Sequence, residues 1–363
     1  MATAHRIISK IEMESTQIDP HPENPLEIYM KTLKSLLVAA SFSLTAAGLS
    51  ATAHAQEVWK LGTAATAGTV LHEIVMKFIN DFNATSGPDL KLEYQLIGNE
   101  QEMHQQVVRG RIQAGASSFA GGAIIVPEGA IFQTPYIWKN NEERKWVTDN
   151  YGVPLAKKLY ADKGLELILV ADVGWNDIVC KTACLTPESV KGLKMRVSPS
   201  QASRVTFKQL GANGVQMPLT EAWPGLQSGL VVGADLPFLF YVTTPAAQSA
   251  PHYVMTRHYH HDSTFIVNKA LYDAMKPEMR AKLLKALPDV GWARKQVADT
   301  EGPKMREFVA KGGFVHQLTD VQREAWAAVI RPGAAEMVQS VGGKAQEVMD
   351  ALNAGKTAFA ARK

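Results

Sequence analysis

Cysteine is nearly missing from this chain. Two in 363 residues are too few for a disulfide-rich scaffold, and no Cys/His set has zinc-finger spacing. Neither sign of charge is in excess: 38 lysines and arginines against 35 aspartates and glutamates give a formal net charge of +3. With no basic tract and no aromatic-studded basic stripe, nucleic-acid binding has no electrostatic footprint. No apolar run reaches the ~20 residues that a membrane-spanning helix needs. The sequence holds no G-x-S-x-G elbow, no H-E-x-x-H and no G-x-x-x-x-G-K, so an enzyme reading lacks a nucleophile motif, a metal motif and a cofactor loop. A Pro/Gly/Ser linker is absent too. The length and the 46% hydrophobic content suit about two domains, which are then interleaved rather than strung end to end.

What is present starts near the N-terminus. After Met30, Lys31 and Lys34 precede an apolar run from about Leu36 to Leu49, followed by Ala53-His54-Ala55. This is the positive n-region, short h-region and small-x-small site of a secretory signal peptide. Cleavage is expected after Ala55, with Gln56 as mature N-terminus and the folded part exported to the periplasm. Residues 1–29 precede a more natural start at Met30. The competing reading, an uncleaved anchor, needs a longer apolar run. Cys180 and Cys184 agree with export, because a pair this close can bridge in an oxidising compartment if the chain turns back. The C-x-x-x-C spacing does not suit a thioredoxin-like redox site. A structural bridge and two free thiols both stay open.

Along the mature chain, strand-like and helix-like segments alternate, which predicts an α/β protein with parallel sheets flanked by helices. "VWKLGTA" (58–64) is strand-like. Leu71, Ile74, Val75, Phe78, Ile79 and Phe82 then mark one helix face at the 3.6 period. Asn99 is placed as the N-cap of "NEQEMHQQVVRG", with Glu102 completing a capping box. "LELILVADVGW" (165–175) is almost continuously apolar, as a strand buried on both faces should be. Three further units follow: "PESVKG" into "LKMRV", "SQASRVTFKQLG" into "GVQMP", and "TEAWPGLQSG" into "LVVGADLPFLF". After about Asn268 the pattern is helical, with one strand at "GGFVHQL".

The run "GLKMRVSPSQASRVTFKQLGANGVQMPLTEAWPGLQSGLVVGAD", preceded by "NEQEMHQQVVRGRIQAG" and "VPEGAIFQTPYIW", resembles the solute-binding proteins of tripartite ATP-independent periplasmic (TRAP) transporters, of the C4-dicarboxylate-binding type. The resemblance extends from about Val58 to Asp350. It implies a two-lobed periplasmic-binding-protein fold, type II-like, in which each lobe is a central β-sheet flanked by helices, with a hinge and interleaved chain segments. The implied function is capture of a small-molecule carboxylate in the interlobe cleft and delivery to a permease of one small and one large integral-membrane subunit. No enzymatic activity, cofactor or nucleic-acid partner is implied. The expected division is 1–55 for the upstream segment and signal peptide, 56–172 for the first lobe and 173–262 for the second. Residues 263–305 return to the first lobe, and 306–363 form a helical segment packing mainly on the second. A bilobed component of an ATP-driven importer, a sensor, or a periplasmic enzyme on the same fold are the alternatives.

In the family, the arginine of the "GLK-x-R-V" strand forks onto the substrate carboxylate, and Arg196 holds that position. A planar, always charged guanidinium matches the two oxygens of a carboxylate; a protein carboxylate beside Arg196 would be the purely structural reading. Two departures from the pattern stand out. Asn176 in "GWND" takes the place of a second arginine, and Leu236 in "GADLP" the place of an asparagine after Asp235. The missing contacts, with Trp175, Phe238, Phe240 and Tyr241 close by in sequence, point to a monocarboxylate with an apolar or aromatic body. Ser118, His258 and Trp223, the last on a helix whose first turn faces the cleft in relatives, complete the candidate ligand set. The run His258, His260, His261, Asp262 is read as no metal site, because neighbours on an extended chain point to opposite faces.

Overall fold

The structure, a computed structural model, describes Leu26 and residues 56–362; the signal peptide and its cleavage site lie outside the described residues. Nine strands are present among them: β1 Glu57–Thr63, β2 Leu90–Leu96, β3 Ala114–Ser118, β4 Leu165–Cys180, β5 Lys194–Val197, β6 Asn213–Gln216, β7 Gly233–Pro237, β8 His252–Asn268 and β9 Phe314–His316. Among the helices are α1 Val70–Ser86, α2 Glu100–Val108, α3 Asn141–Val147, α4 Val153–Ala161, α5 Gln201–Gln209, α6 Leu219–Ser228, α7 Val290–Ala310, α8 Asp320–Ile330, α9 Gly333–Val341 and α10 Ala345–Ala360. No helix among the described residues is long and apolar enough to cross a membrane.

Local chemistry accounts for most of these elements. All six residues of the apolar face at 3.6 spacing in α1 are buried, and the Thr69 side chain caps its first turn. Asn99 caps α2 by accepting from the amides of Gln101 and Glu102. The reciprocal half of the expected box is replaced, since the Glu102 carboxylate accepts from Gln106 instead. Pro224 sits inside α6, beyond the first turn, so that helix forgoes one backbone hydrogen bond.

The strands follow the order β2-β1-β3-β8-β4-β7-β5-β6, with β9 added to β8. Each end of the sheet is parallel: β1 with β2 and β3, and β5 with β6 and β7. The centre differs from the parallel arrangement expected, because β8 runs antiparallel to β3 and β4, and β4 antiparallel to β7. A continuous apolar run reports burial of both faces but carries no information on partner direction. The two longest strands, β4 and β8, run side by side through both halves, so each lobe receives chain from several separate stretches. That is why no linker marks a boundary. Strand β8 itself has no apolar alternation in "HYVMTRHYHHDSTFIVN". Its buried polar residues are satisfied by tertiary partners that the local pattern cannot announce.

Halfway along the central pair, Asp172 lies opposite Asp262, with a register shift immediately after it. Two carboxylates facing each other would repel. Fully buried Arg144 of α3 bonds both, reaching Asp262 at 3.2 Å, and Arg294 of α7 bonds Asp172 at 3.2 Å and Asp149 at 2.8 Å. Apolar packing divides into clusters on the two halves. Trp326 and Ile330 of α8 pack with Ile178, Val190 and Phe207, whereas Met337, Val348 and Leu352 pack with Ile131, Val147 and Tyr160. Cys180 and Cys184 are joined in a disulfide with Cα atoms 6.3 Å apart.

Candidate functional site

Between the two halves lies a cavity of about 120 Å3. From β5, Arg196 reaches it: Met195 and Val197 turn to the core, and Arg196, only 3% exposed, points the other way. Its Nε donates to the Met217 carbonyl at 3.2 Å, which fixes the plane of the guanidinium and leaves its terminal nitrogens uncommitted. Among the described residues no carboxylate is in ion-pair contact with it. Burial pushes the Arg196 pKa down, against the charges of Asp235, Tyr259 and Glu100. A guanidinium starts so high that it stays charged.

Behind Arg196 stands a polar wall built from Ser203, Asp235, Tyr259, His258 and Asn176. Asp235 of β7 accepts from Ser203 Oγ at 2.8 Å and from Tyr259 Oη at 2.7 Å. His258 Nε2 lies 3.6 Å from the same carboxylate. Burial works to raise the Asp235 carboxyl, but the neighbouring His258 imidazole, the Arg196 charge and the Tyr259 hydrogen bond together hold it below the usual range. Asn176, opposite Tyr259 across the β4–β8 ladder, donates through Nδ2 to Tyr259 Oη. Because the Tyr259 proton is committed to Asp235, the orientation of the Asn176 amide is set as well.

The facing wall comes from the start of α2 and the end of β3. Ser118 caps the short helix after β3 by accepting from Gly121 N at 3.0 Å and donates its own proton to Glu100 Oε2 at 2.5 Å. Glu100 Oε1 also accepts from Ser118 N at 3.2 Å, and burial raises this carboxyl above its ordinary value. His261 lines the cavity with an imidazole that burial pushes down to about 4, so it is neutral at ordinary pH. Leu71, Leu219, Leu236 and Phe240 supply apolar surface.

Of the residues picked from sequence, Arg196, Asn176, Ser118, Asp235 and Leu236 line the cavity. Four others do not, and each has a different occupation. Trp175 donates from Nε1 to Asn141 at 2.9 Å and meets His260 edge-on. Phe238 follows β7 into the apolar cluster with Tyr241 and Tyr253. Trp223 packs on that cluster from α6, and His258 stands one layer behind, against Asp235. Sequence reading missed Glu100, Gln133, Tyr259 and His261. Glu100 looked like an ordinary first-turn helix residue, and His261 was visible only as part of a histidine run. That run does split. His258 turns to Asp235, His260 to Asp262 at 2.9 Å, and His261 to the cavity. The donor atoms of Asp172, His260 and Asp262 lie within 4.8 Å of one another, but Arg144 and Arg294 already supply the positive charge there.

A charged, forked donor facing the crevice is equipped to hold the two oxygens of an anion. The chain matches the family model for bacterial extracellular solute-binding protein, family 7, over residues 61–340. It is 28% identical to the C4-dicarboxylate-binding periplasmic protein of Rhodobacter capsulatus over 264 residues, 72% of this chain and 79% of that protein. It is 25% identical to the ectoine/5-hydroxyectoine-binding periplasmic protein of Ruegeria pomeroyi, with 89% of this chain and 96% of that one covered. In fold it resembles a TRAP periplasmic solute-binding protein of Sulfurospirillum deleyianum with bound succinate, TM-score 0.76 at 19% identity, covering 83% of this chain and 99% of that one. A counterpart from a Sulfitobacter species with bound β-D-galacturonate superposes with TM-score 0.77 at 19% identity, covering 83% and 100%. A family model that spans well over half of the sequence settles the assignment: the chain belongs to the bacterial extracellular solute-binding proteins of family 7, transport proteins that bind substrate and are not enzymes.

Proposed function

We propose that this protein captures an organic acid in the Arg196 cavity outside the cytoplasm and hands it to a TRAP-type permease. The observation that carries the reading is Arg196 itself, buried against the cavity with no protein carboxylate in ion-pair contact among the described residues. Burying an unpaired charge costs several kcal/mol, so the site favours an anionic visitor. We place the hinge where β4 and β8 pass Asp172 and Asp262. The first lobe then comprises 56–172 and 263–305, and the second starts with 173–262. Ligand contacts made to both lobes stabilise the closed arrangement and shift the population toward it.

The finer reading is a monocarboxylate with an apolar flank. Among the described residues Arg196 is the one cation in the lining, where Glu100 and Asp235 already contribute two acids; a second ligand carboxylate would find no cationic partner of its own there. Leu71, Leu219, Leu236 and Phe240 offer an apolar wall. The test is calorimetry of the mature protein against matched mono- and dicarboxylates with aliphatic, hydroxylated and aromatic bodies. Micromolar or tighter binding of monocarboxylates is expected. Binding confined to dicarboxylates overturns the finer reading, and binding of none of the acids overturns the carboxylate assignment.

A further inference from the structure

A second, larger cavity of about 570 Å3 shares no lining residue with the first. Its walls come from the segment 136–141, from Trp175 of β4, Arg257 of β8, helix α8 and Lys356 of α10. Five cations line it, namely Lys139, Arg257, Arg323, Arg331 and Lys356, against the acids Asp320 and Glu324. Both acids are spent, Asp320 on Arg323 and Glu324 on Arg331 at 3.0 Å. Lys139, Arg257 and Lys356 form no ion pair among the described residues. Asp177, which bonds the Arg257 backbone, and Glu301 also act on its charge, and burial pushes both carboxyls up. The lining therefore carries a surplus of positive charge, five cations against two acids, and Lys139, Arg257 and Lys356 are without an ion-pair partner among the described residues.

A second observation falls on the same place. Among the described residues only two non-glycine residues have positive φ, Tyr136 at 54° and Arg257 at 49°, and both line this cavity. Backbone of this kind persists only where its surroundings hold it, and it clusters at functional sites. Here the hold is explicit. Tyr136 N donates to His258 O at 2.7 Å, Tyr136 Oη donates to Thr256 O at 3.0 Å, and Arg257 N donates to Asp177 Oδ1 at 2.5 Å. Arg257 lies where β8 slips register against β4, between the partners of Asn176 and Ile178. Its neighbours Thr256 and His258 are fully buried while it is exposed. The clamp thus turns one arginine out of the ladder and toward the lysines.

We propose that this cavity is a second anion site, taking a small multivalent oxyanion, separate from the Arg196 cavity. A concave site of this size suits a small molecule, and cations from several elements converge on it as they do on phosphate-type groups. Inorganic pyrophosphate is the probe, because it has the charge and oxygens but no carboxylate. Calorimetry at low ionic strength should show one saturable site per chain. The double variant Lys139→Gln/Lys356→Gln should bind about tenfold more weakly or worse, since two charge-assisted contacts are lost, with an unchanged melting temperature. Arg257→Gln should weaken binding in the same direction. Absence of saturable binding to the wild-type protein overturns the proposal, and so does equal binding by the double variant, which would put the anion elsewhere. Binding of an oligoglutamate peptide without binding of pyrophosphate overturns it in favour of docking by an acidic protein segment.

Discussion

Replacing Arg196 by alanine tests the carboxylate reading most directly. The side chain is 97% buried and its Nε is held by the Met217 carbonyl, so the terminal nitrogens meet the cavity without a search through rotamers. A bound carboxylate in the variant would sit desolvated and unpaired, which costs about 2 to 5 kcal/mol. That is a loss of about 30-fold to several thousand-fold in affinity. Arg196→Lys keeps the charge but presents one ammonium in place of a planar fork. It should fall between wild type and alanine. The alanine variant also leaves Asp235 with less compensation, since the Arg196 charge is one of the influences holding its carboxyl down. Melting temperatures must therefore be recorded beside the affinities, and binding measured well below the transition. The assay is calorimetric titration with the tightest acid from the panel above. Unchanged affinity in both folded variants would remove Arg196 from the site and, with it, the reason for expecting an anion.

Three further outcomes follow from the packing. Replacing Cys180 and Cys184 together by alanine opens a five-residue loop, which the chain-entropy relation values at about 2 kcal/mol; thermal unfolding should start a few degrees lower, and an unchanged transition would mean the bridge contributes nothing. Asp177 is raised from 3.8 to about 7, mainly by burial. Between those values the native carboxyl keeps a proton that the unfolded chain releases, so this group's contribution falls as pH rises through that window. Asp177→Asn should gain on wild type across it by up to about 1.4 kcal/mol per pH unit, and parallel stability–pH curves from urea titrations would refute the assignment. At Gly233 an added Cβ would lie 2.5 Å from the Val179 carbonyl oxygen and 2.5 Å from Met195 Cε; backbone cannot yield as a side chain can, so Gly233→Ala should cost about 1 to 3 kcal/mol, read as a lower urea midpoint.

The apolar stripe of α1 and the guanidinium of Arg196 were legible in the chain itself. A helix face is written at fixed spacing in consecutive residues, and an arginine flanked by inward apolar residues on a strand declares which way it points. The absence of a linker likewise announced interleaved lobes. Partner direction in the central sheet was not legible, nor was β8, because a strand of histidines, aspartate, serine and threonine becomes a buried strand only when partners such as Arg144, Asp235 and Ser117 are brought to it. The family motif pointed to Ser118, Asn176, Arg196, Asp235 and Leu236, but Glu100, Gln133, Tyr259 and His261 joined the cavity only through the tertiary structure. Glu100, Ser118, Asn176, Arg196, Asp235 and Tyr259 share no local pattern, and Trp175 and Phe238 are as aromatic as any pocket residue while serving other neighbours. Spacing along a chain fixes which face a residue takes within its own element; which faces meet across a crevice depends on how the elements pack, and no short stretch of sequence contains that.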